Sequence, residues 1–189
     1  MNIIETSIPE VKIIEPKVFG DSRGCFFESH SHKNFIEKVC NTTFVQDNES
    51  HSQYGVLRGM HYQLPPFTQS KLVRVVVGKV LDVAVDMRKG SSTFGKYVAV
   101  ELSGDNKRQL FVPRGFAHGF LTLSEEAIFQ YKCDAYYVPN QEGAFLWNDP
   151  TVNIQWPIDP SKVILSDKDR ILPSFIDAKL FSYSDKLYE

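Results

Sequence analysis

Leu72-Val73-Arg74-Val75-Val76-Val77-Gly78-Lys79-Val80-Leu81-Asp82-Val83-Ala84-Val85-Asp86 is the stretch on which the fold turns. Its two apolar runs, Leu72 to Val77 and Val80 to Asp86, alternate in the manner of half-buried strands. Gly78-Lys79 between them is a Gly-first pair suited to a tight type II′ turn, so the stretch predicts a β-hairpin. Polar, Gly-containing turns at Arg88 to Ser92 and Ser103 to Asn106 bracket a further strand, Tyr97 to Leu102. More strands are expected at Gln109 to Val112, His118 to Leu123 and Ala127 to Asp134. Short strands this closely spaced predict an all-β sandwich or barrel and not a βαβ fold. The architecture that fits best is a jelly roll, whose interior can hold a small ligand. Helix is scarce: Ser31 to Val39, with Phe35, Ile36 and Val39 on one face, is one candidate, and the region after Ser166 is a second.

A length of 189 residues suits a single domain with ample core, and no repeat, low-complexity tract or linker divides it. The formal charge of -2 argues against a nucleic-acid binder, which would carry a basic surplus. An anionic ligand must therefore be caught by a local cluster of Arg and Lys. Met1 to Glu5 lacks the basic and apolar regions of a secretory signal, and no apolar run approaches the roughly 20 residues that span a bilayer. Cys25, Cys40 and Cys133 are too scattered for a disulfide framework or a CxxC metal site, and read as small buried hydrophobes in a reducing compartment. The expected location is the cytoplasm.

Among the five histidines, His30, His32 and His51 lie in polar stretches and read as solvated. His61, in Arg58-Gly59-Met60-His61-Tyr62-Gln63, shares a strand face with Gln63, and Arg58 falls on the other face unless a bend intervenes. His118 ends Pro113-Arg114-Gly115-Phe116-Ala117-His118, a turn running into an apolar strand. Each alone is more often structural than catalytic. Lys71 opens an apolar strand, where an inward ammonium is costly unless it meets an anion or sits at the barrel mouth. Tyr131 shares the interior face of its strand with Phe129 and Cys133, and Gln130 and Lys132 lie opposite; alone it reads as a core aromatic. Asp167-Lys168-Asp169-Arg170 reads by default as a solvated charged turn.

Taken in order, Arg58 to Gln63, Lys71 to Val75, Pro113 to Phe120, Tyr131 to Tyr137, Trp147 to Pro150 and Leu165 to Asp169 resemble the dTDP-4-dehydrorhamnose 3,5-epimerase family. The resemblance runs from about Phe19 to Pro173, and departs from the family pattern at Thr68-Gln69-Ser70, where smaller residues are expected. It implies a cupin-type jelly roll and epimerisation beside a ketone, without metal or redox cofactor. In that chemistry His61 matches the general base and Asp169 its carboxylate partner. Lys71 matches the group beside the ketone oxygen, and Tyr131 the acid on the other face of the ring. Arg58 and Lys168 match residues that meet the diphosphate. Gln46 and Asn48 match readers of the base and nearby polar groups, and Tyr137 the aromatic that stacks on thymine. Arg23 and Glu28 match residues reaching the ligand from a neighbouring subunit, and His118 and Glu142 match further pocket members. The implied partner is a dTDP-linked 4-keto-6-deoxy sugar, and the implied assembly a homodimer, with N-terminal strand exchange.

Three rival readings follow from the same residues. A metal-dependent cupin needs His-x-His with a carboxylate and a later His, whereas His61-Tyr62-Gln63 supplies one imidazole and His118 a second. A non-catalytic sugar- or nucleotide-binding module has no need for His61, Lys71, Tyr131 and Asp169 together. A relative inverting only one carbon, or using another nucleotide sugar, would need nearly the same groups. His61-Tyr62-Gln63, Tyr131 and Tyr137 resemble the thymidine-linked, double-inverting type.

Overall fold

In the computed structural model, which describes residues 1–188, two antiparallel sheets face each other. In chain order the first elements are β1 (Asn2–Glu5), β2 (Lys12–Glu15), β3 (Val18–Asp21), β4 (Gly24–Phe27), α1 (His32–Lys38), β5 (Gln46–Gln53) and β6 (Leu57–Gln63). There follow β7 (Lys71–Val77), β8 (Lys79–Asp86), β9 (Arg88–Lys89), β10 (Tyr97–Ser103) and β11 (Gln109–Val112). The last are β12 (Phe116–Thr122), β13 (Glu126–Cys133), β14 (Glu142–Ala144) and β15 (Phe181–Ser182). One sheet has the order β1-β2-β11-β7-β13-β5 and the other β10-β8-β12-β6-β14. This is the expected jelly roll. No helix among the described residues is long and apolar enough to cross a membrane.

The sheets meet over a core that draws Val73, Val75 and Phe129 from one side and Val80, Ala84, Phe116 and Phe120 from the other. Each of the buried Val and Phe side chains contributes about 1.5–3 kcal/mol. The outer faces are covered as well. α1 lays Phe35 against Ile14, Leu72 and Phe111 on the six-stranded sheet. Phe145, Phe175 and Phe181, from the C-terminal third, cover Met60, Tyr62, Val83 and Val85 on the other. Central strands therefore bury apolar groups on both faces, as adjacent Leu72 and Val73 show, whereas Val77 at the end of β7 is exposed.

The predicted hairpin does not form. β7 pairs with β11 and β13, while β8 pairs with β10 and β12, so Gly78 carries the chain from one sheet to the other. Alternation supplied each strand with an inward face, and that face suits a sandwich crossover as well as a hairpin. Gly78 is required for a different reason: its φ is 78°, and a Cβ there would lie 1.9 Å from the Glu126 carbonyl oxygen.

Helix α1 begins as its sequence suggests, with Ser31 Oγ accepting from the Asn34 backbone N–H. Phe35 is buried and Val39 packs beside it, but Ile36 points outward, because positions four apart stack on one face and the neighbour turns away. After Ser166 the described residues hold a single 3₁₀ turn, Asp169–Ile171, in place of the expected helix. Two further expectations fail. Cys25 is exposed on β4. His30 is half-buried against Phe35 and Phe44, ring centroids 5.7 and 5.4 Å away, and burial lowers its pKa.

Candidate active site

A cavity of about 620 Å³ opens between the sheets. Its six-stranded wall is set by register: Lys71, Cys133 and Gln46 form one cross-strand row, and Val73, Tyr131 and Asn48 the next. Residues directly opposite in antiparallel strands point to the same face, so all of these side chains look inward. Gln46 Nε2 donates to Asn48 Oδ1 at 3.0 Å, and Asn48 Nδ2 lies 3.8 Å from Cys133 Sγ. Gln130 and Lys132 face away, to Arg74 and Asp47.

The opposite wall is β6 and β12, in which His61 is paired with His118. One position further, the register slips: Arg58 pairs with Phe120, so Gly59 and Met60 together oppose Gly119 alone. This β-bulge is the bend that places Arg58 in the same cavity as His61, against strict alternation. Gly59 permits it, since with φ of 134° its Cα position approaches Gly119 so closely that a Cβ would lie 2.6 Å from the Gly119 Cα.

His61 lies between two carboxylates. Its Nε2 is 2.7 Å from Asp169 Oδ1 in an aligned hydrogen bond, and its Nδ1 is 2.6 Å from Glu142 Oε1, off the hydrogen-bonding line. Asp169 is no solvated turn residue. It is buried, and its backbone N–H is fixed by the Ser166 hydroxyl and carbonyl. The strap that carries it is fastened to β6 by Leu57 N–H donating to the Ile164 carbonyl. Glu142, on β14 beside β6, accepts from Tyr137 Oη at 2.9 Å and pairs with Lys168 Nζ. Burial pulls the His61 pKa down, but Asp169 and Glu142 outweigh it and hold it above 6.5. Burial likewise opposes ionisation of Glu142, yet His61 and Lys168 hold its carboxyl at about 2.

Facing this group, Lys71 Nζ stands 5.7 Å from the centre of the Tyr131 ring. Among the described residues it has no carboxylate within ion-pair distance, and burial lowers its pKa, partly offset by Cys133, Asp82 and Glu142. Burial raises the pKa of Tyr131, so its phenol keeps its proton at neutral pH. Phe120 and Phe129, stacked with centroids 4.1 Å apart, also line the cavity.

All the residues expected in the site line this cavity except Arg23 and Glu28. Those two lie at the exposed β3–β4 ribbon, where Arg23 pairs with Asp21 and Glu28 accepts from Asn34. Sequence reasoning missed Asp82, a buried carboxylate on β8 whose oxygens lie 2.9 and 3.1 Å from His118 Nε2. A charge inside the run Val80-Leu81-Asp82-Val83 was the available signal. The resemblance implied Glu142 only as a further pocket member without a role of its own, whereas the structure sets it directly on His61.

An imidazole and a phenol reaching into one cavity from opposite sheets, with a buried ammonium beside the phenol, can move protons on either side of a ring and steady an anion between them. Fold and cavity thus fit an isomerase of jelly-roll architecture that inverts a carbon centre by proton transfer. The family model for dTDP-4-dehydrorhamnose 3,5-epimerase matches residues 5–177, and the chain belongs to that family. It is 57% identical to a dTDP-4-dehydrorhamnose 3,5-epimerase of Shigella flexneri over 96% of this chain and 99% of the relative. A dTDP-6-deoxy-D-glucose-3,5-epimerase of Legionella pneumophila, solved in complex with dTDP-4-keto-L-rhamnose, superposes with a TM-score of 0.93 at 50% identity, covering 97% of this chain and 99% of that one. The Bacillus anthracis enzyme, solved with TDP and PPi bound, gives a TM-score of 0.86 at 46% identity, covering 92% and 98%.

Proposed function

We propose that this chain converts dTDP-4-dehydro-6-deoxy-D-glucose to dTDP-4-dehydro-L-rhamnose by removing and returning protons at C3 and C5. The observation that carries the reading is the placement of His61 and Tyr131 on facing sheets of one cavity, with Lys71 beside the phenol. Neutral His61 takes the carbon-bound proton, and Asp169 orients the ring and stabilises the imidazolium that forms. The electron pair left behind delocalises onto the ketone oxygen, where the Lys71 ammonium favours the enolate over the neutral ketone. Tyr131 gives its proton to the opposite face of the carbanion, and inversion results.

Arg58 and Lys168, at the His61 side of the cavity, supply the charges for a diphosphate. Tyr137, half-exposed at the mouth, offers a ring to thymine, and Gln46 and Asn48 offer amides to the polar groups nearby. The chain is read as one domain acting in the cytoplasm as a homodimer, in which Arg23 and Glu28 of each ribbon reach the other subunit's cavity. The exposed Phe19 and Phe26 on that ribbon support this, since apolar rings left in solvent favour a covering partner.

Incubation with the nucleotide sugar in deuterated water, followed by NMR of the product, tests the reaction. Deuterium and inversion at both carbons are expected. Label at one carbon alone would select a single-centre epimerase, and no label would overturn the assignment.

A further inference from the structure

The two carboxylates on His61 are held in different ways. Asp169 is 5% exposed and anchored through its own backbone. Glu142 is fixed by its backbone in β14, but among the described residues its Oε2 is held by the side chains of Lys168 and Tyr137, which are exposed at the cavity mouth. Those are the two groups that the proposed function assigns to the diphosphate and the thymine ring. Glu142 Oε1 meanwhile sits 2.6 Å from Nδ1, the nitrogen left for proton abstraction once Nε2 is committed to Asp169. With both nitrogens against carboxylates, the imidazolium is favoured and no lone pair is offered to carbon.

We propose that Glu142 is a displaceable guard on His61, holding Nδ1 until a nucleoside diphosphate draws Lys168 and Tyr137 away and repels the carboxylate. When Glu142 turns aside, the Nδ1 proton passes to water, and the neutral ring is left with a lone pair facing the sugar. Chemistry is thereby tied to a correctly bound nucleotide. Glu142 is a positioning residue in this account, acting through His61. Arg58, Lys71 and Tyr131 face His61 from β6, β7 and β13, and the Asp82–His118 pair from β8 and β12, but among the described residues none of these contacts either ring nitrogen.

The inference rests on the functional reading above, and an experiment separates the two. The His61 ring nitrogens are titrated by ¹⁵N NMR in the wild-type protein, with and without dTDP. Adding a diphosphate anion by itself would raise the imidazole pKa; departure of Glu142 lowers it. A downward shift on dTDP binding is the expected result. An unmoved or upward shift with dTDP bound overturns the guard alone, whereas failure of dTDP to bind overturns the functional reading and the guard with it. Kinetics of Glu142→Gln give a second readout. The acid limb of kcat/KM, which reports free enzyme, should move to lower pH, while that of kcat, which reports the bound complex, stays in place. Equal movement of both limbs, or of neither, overturns the proposal.

Discussion

His61 Nε2 and Asp169 Oδ1 lie 2.7 Å apart, although 108 residues separate them in the chain. The contact exists because the strap after Ile164 is tied to the start of β6, so its turn closes over the histidine. Asp169→Asn keeps the size of the side chain but removes the charge that steadies the imidazolium. It is expected to lower kcat by about 10²–10⁴-fold, the range for losing acid–base assistance. Adding it to His61→Ala should cost little more, since residues acting as one unit are not additive. Steady-state kinetics of the two single variants and the double variant check this.

Lys71→Met removes the ammonium that shares a cross-strand row with Cys133 and stands 5.7 Å from the Tyr131 ring. Loss of one group stabilising the developing oxyanion predicts a fall of about 10²–10³ in kcat. Proton exchange into substrate should fall in parallel, because both need the enolate. Exchange surviving at the wild-type rate would remove Lys71 from the mechanism.

Tyr131→Phe should spare exchange of the abstracted proton and damage inversion. Deuterium incorporation and product stereochemistry, measured on one sample, separate the two. Equal loss of both would count against His61 and Tyr131 having separate faces.

The pH dependence has a definite sign. The His61 pKa is raised in the folded protein, so the base form is absent below it, and the acid limb of kcat/KM should lie above 6.5. Its ion contacts stabilise the fold fully below 6.5, and that contribution is lost as pH rises through the folded value. Glu142 behaves oppositely. Its carboxyl is depressed from 4.5 to about 2, so its contribution is present above 4.5 and lost as pH falls toward 2. Thermal denaturation across pH 2–5 should show a smaller acid loss in Glu142→Gln than in wild type.

Gly59→Ala tests the bulge. A Cβ 2.6 Å from Gly119 Cα, on a residue with φ of 134°, should cost about 1–3 kcal/mol and lower Tm by several degrees. Activity should fall further than stability accounts for, because the bulge brings Arg58 to the same side as His61. Wild-type kcat/KM in a folded variant would show that the bulge does not position the site.

The strand positions of β7, β8, β10, β11 and β13 were legible from local alternation and turn residues, and the interior face of β13 from Phe129, Tyr131 and Cys133 against Gln130 and Lys132. Most of the cavity's residue set was legible only through resemblance to a family, since His61, Tyr131 and Asp169 each had a plain structural reading alone. Asp82 and the place of Glu142 escaped both. Nothing in the neighbours of Glu142 reveals that β14 lies beside β6.

Sequence by itself determined which segments form strands and which side chains face inward, because both follow from the two-residue repeat of the extended chain and from burial of apolar groups. It did not determine which strands pair. The same inward face lets β7 meet β8 or cross to the other sheet, and the choice falls to packing of the whole sandwich. Only the tertiary structure set Arg58 beside His61, buried Asp169 and put two carboxylates on one imidazole. Each depends on a bulge or a strap closing over distant residues, and the energy of such contacts is written in no local stretch of chain.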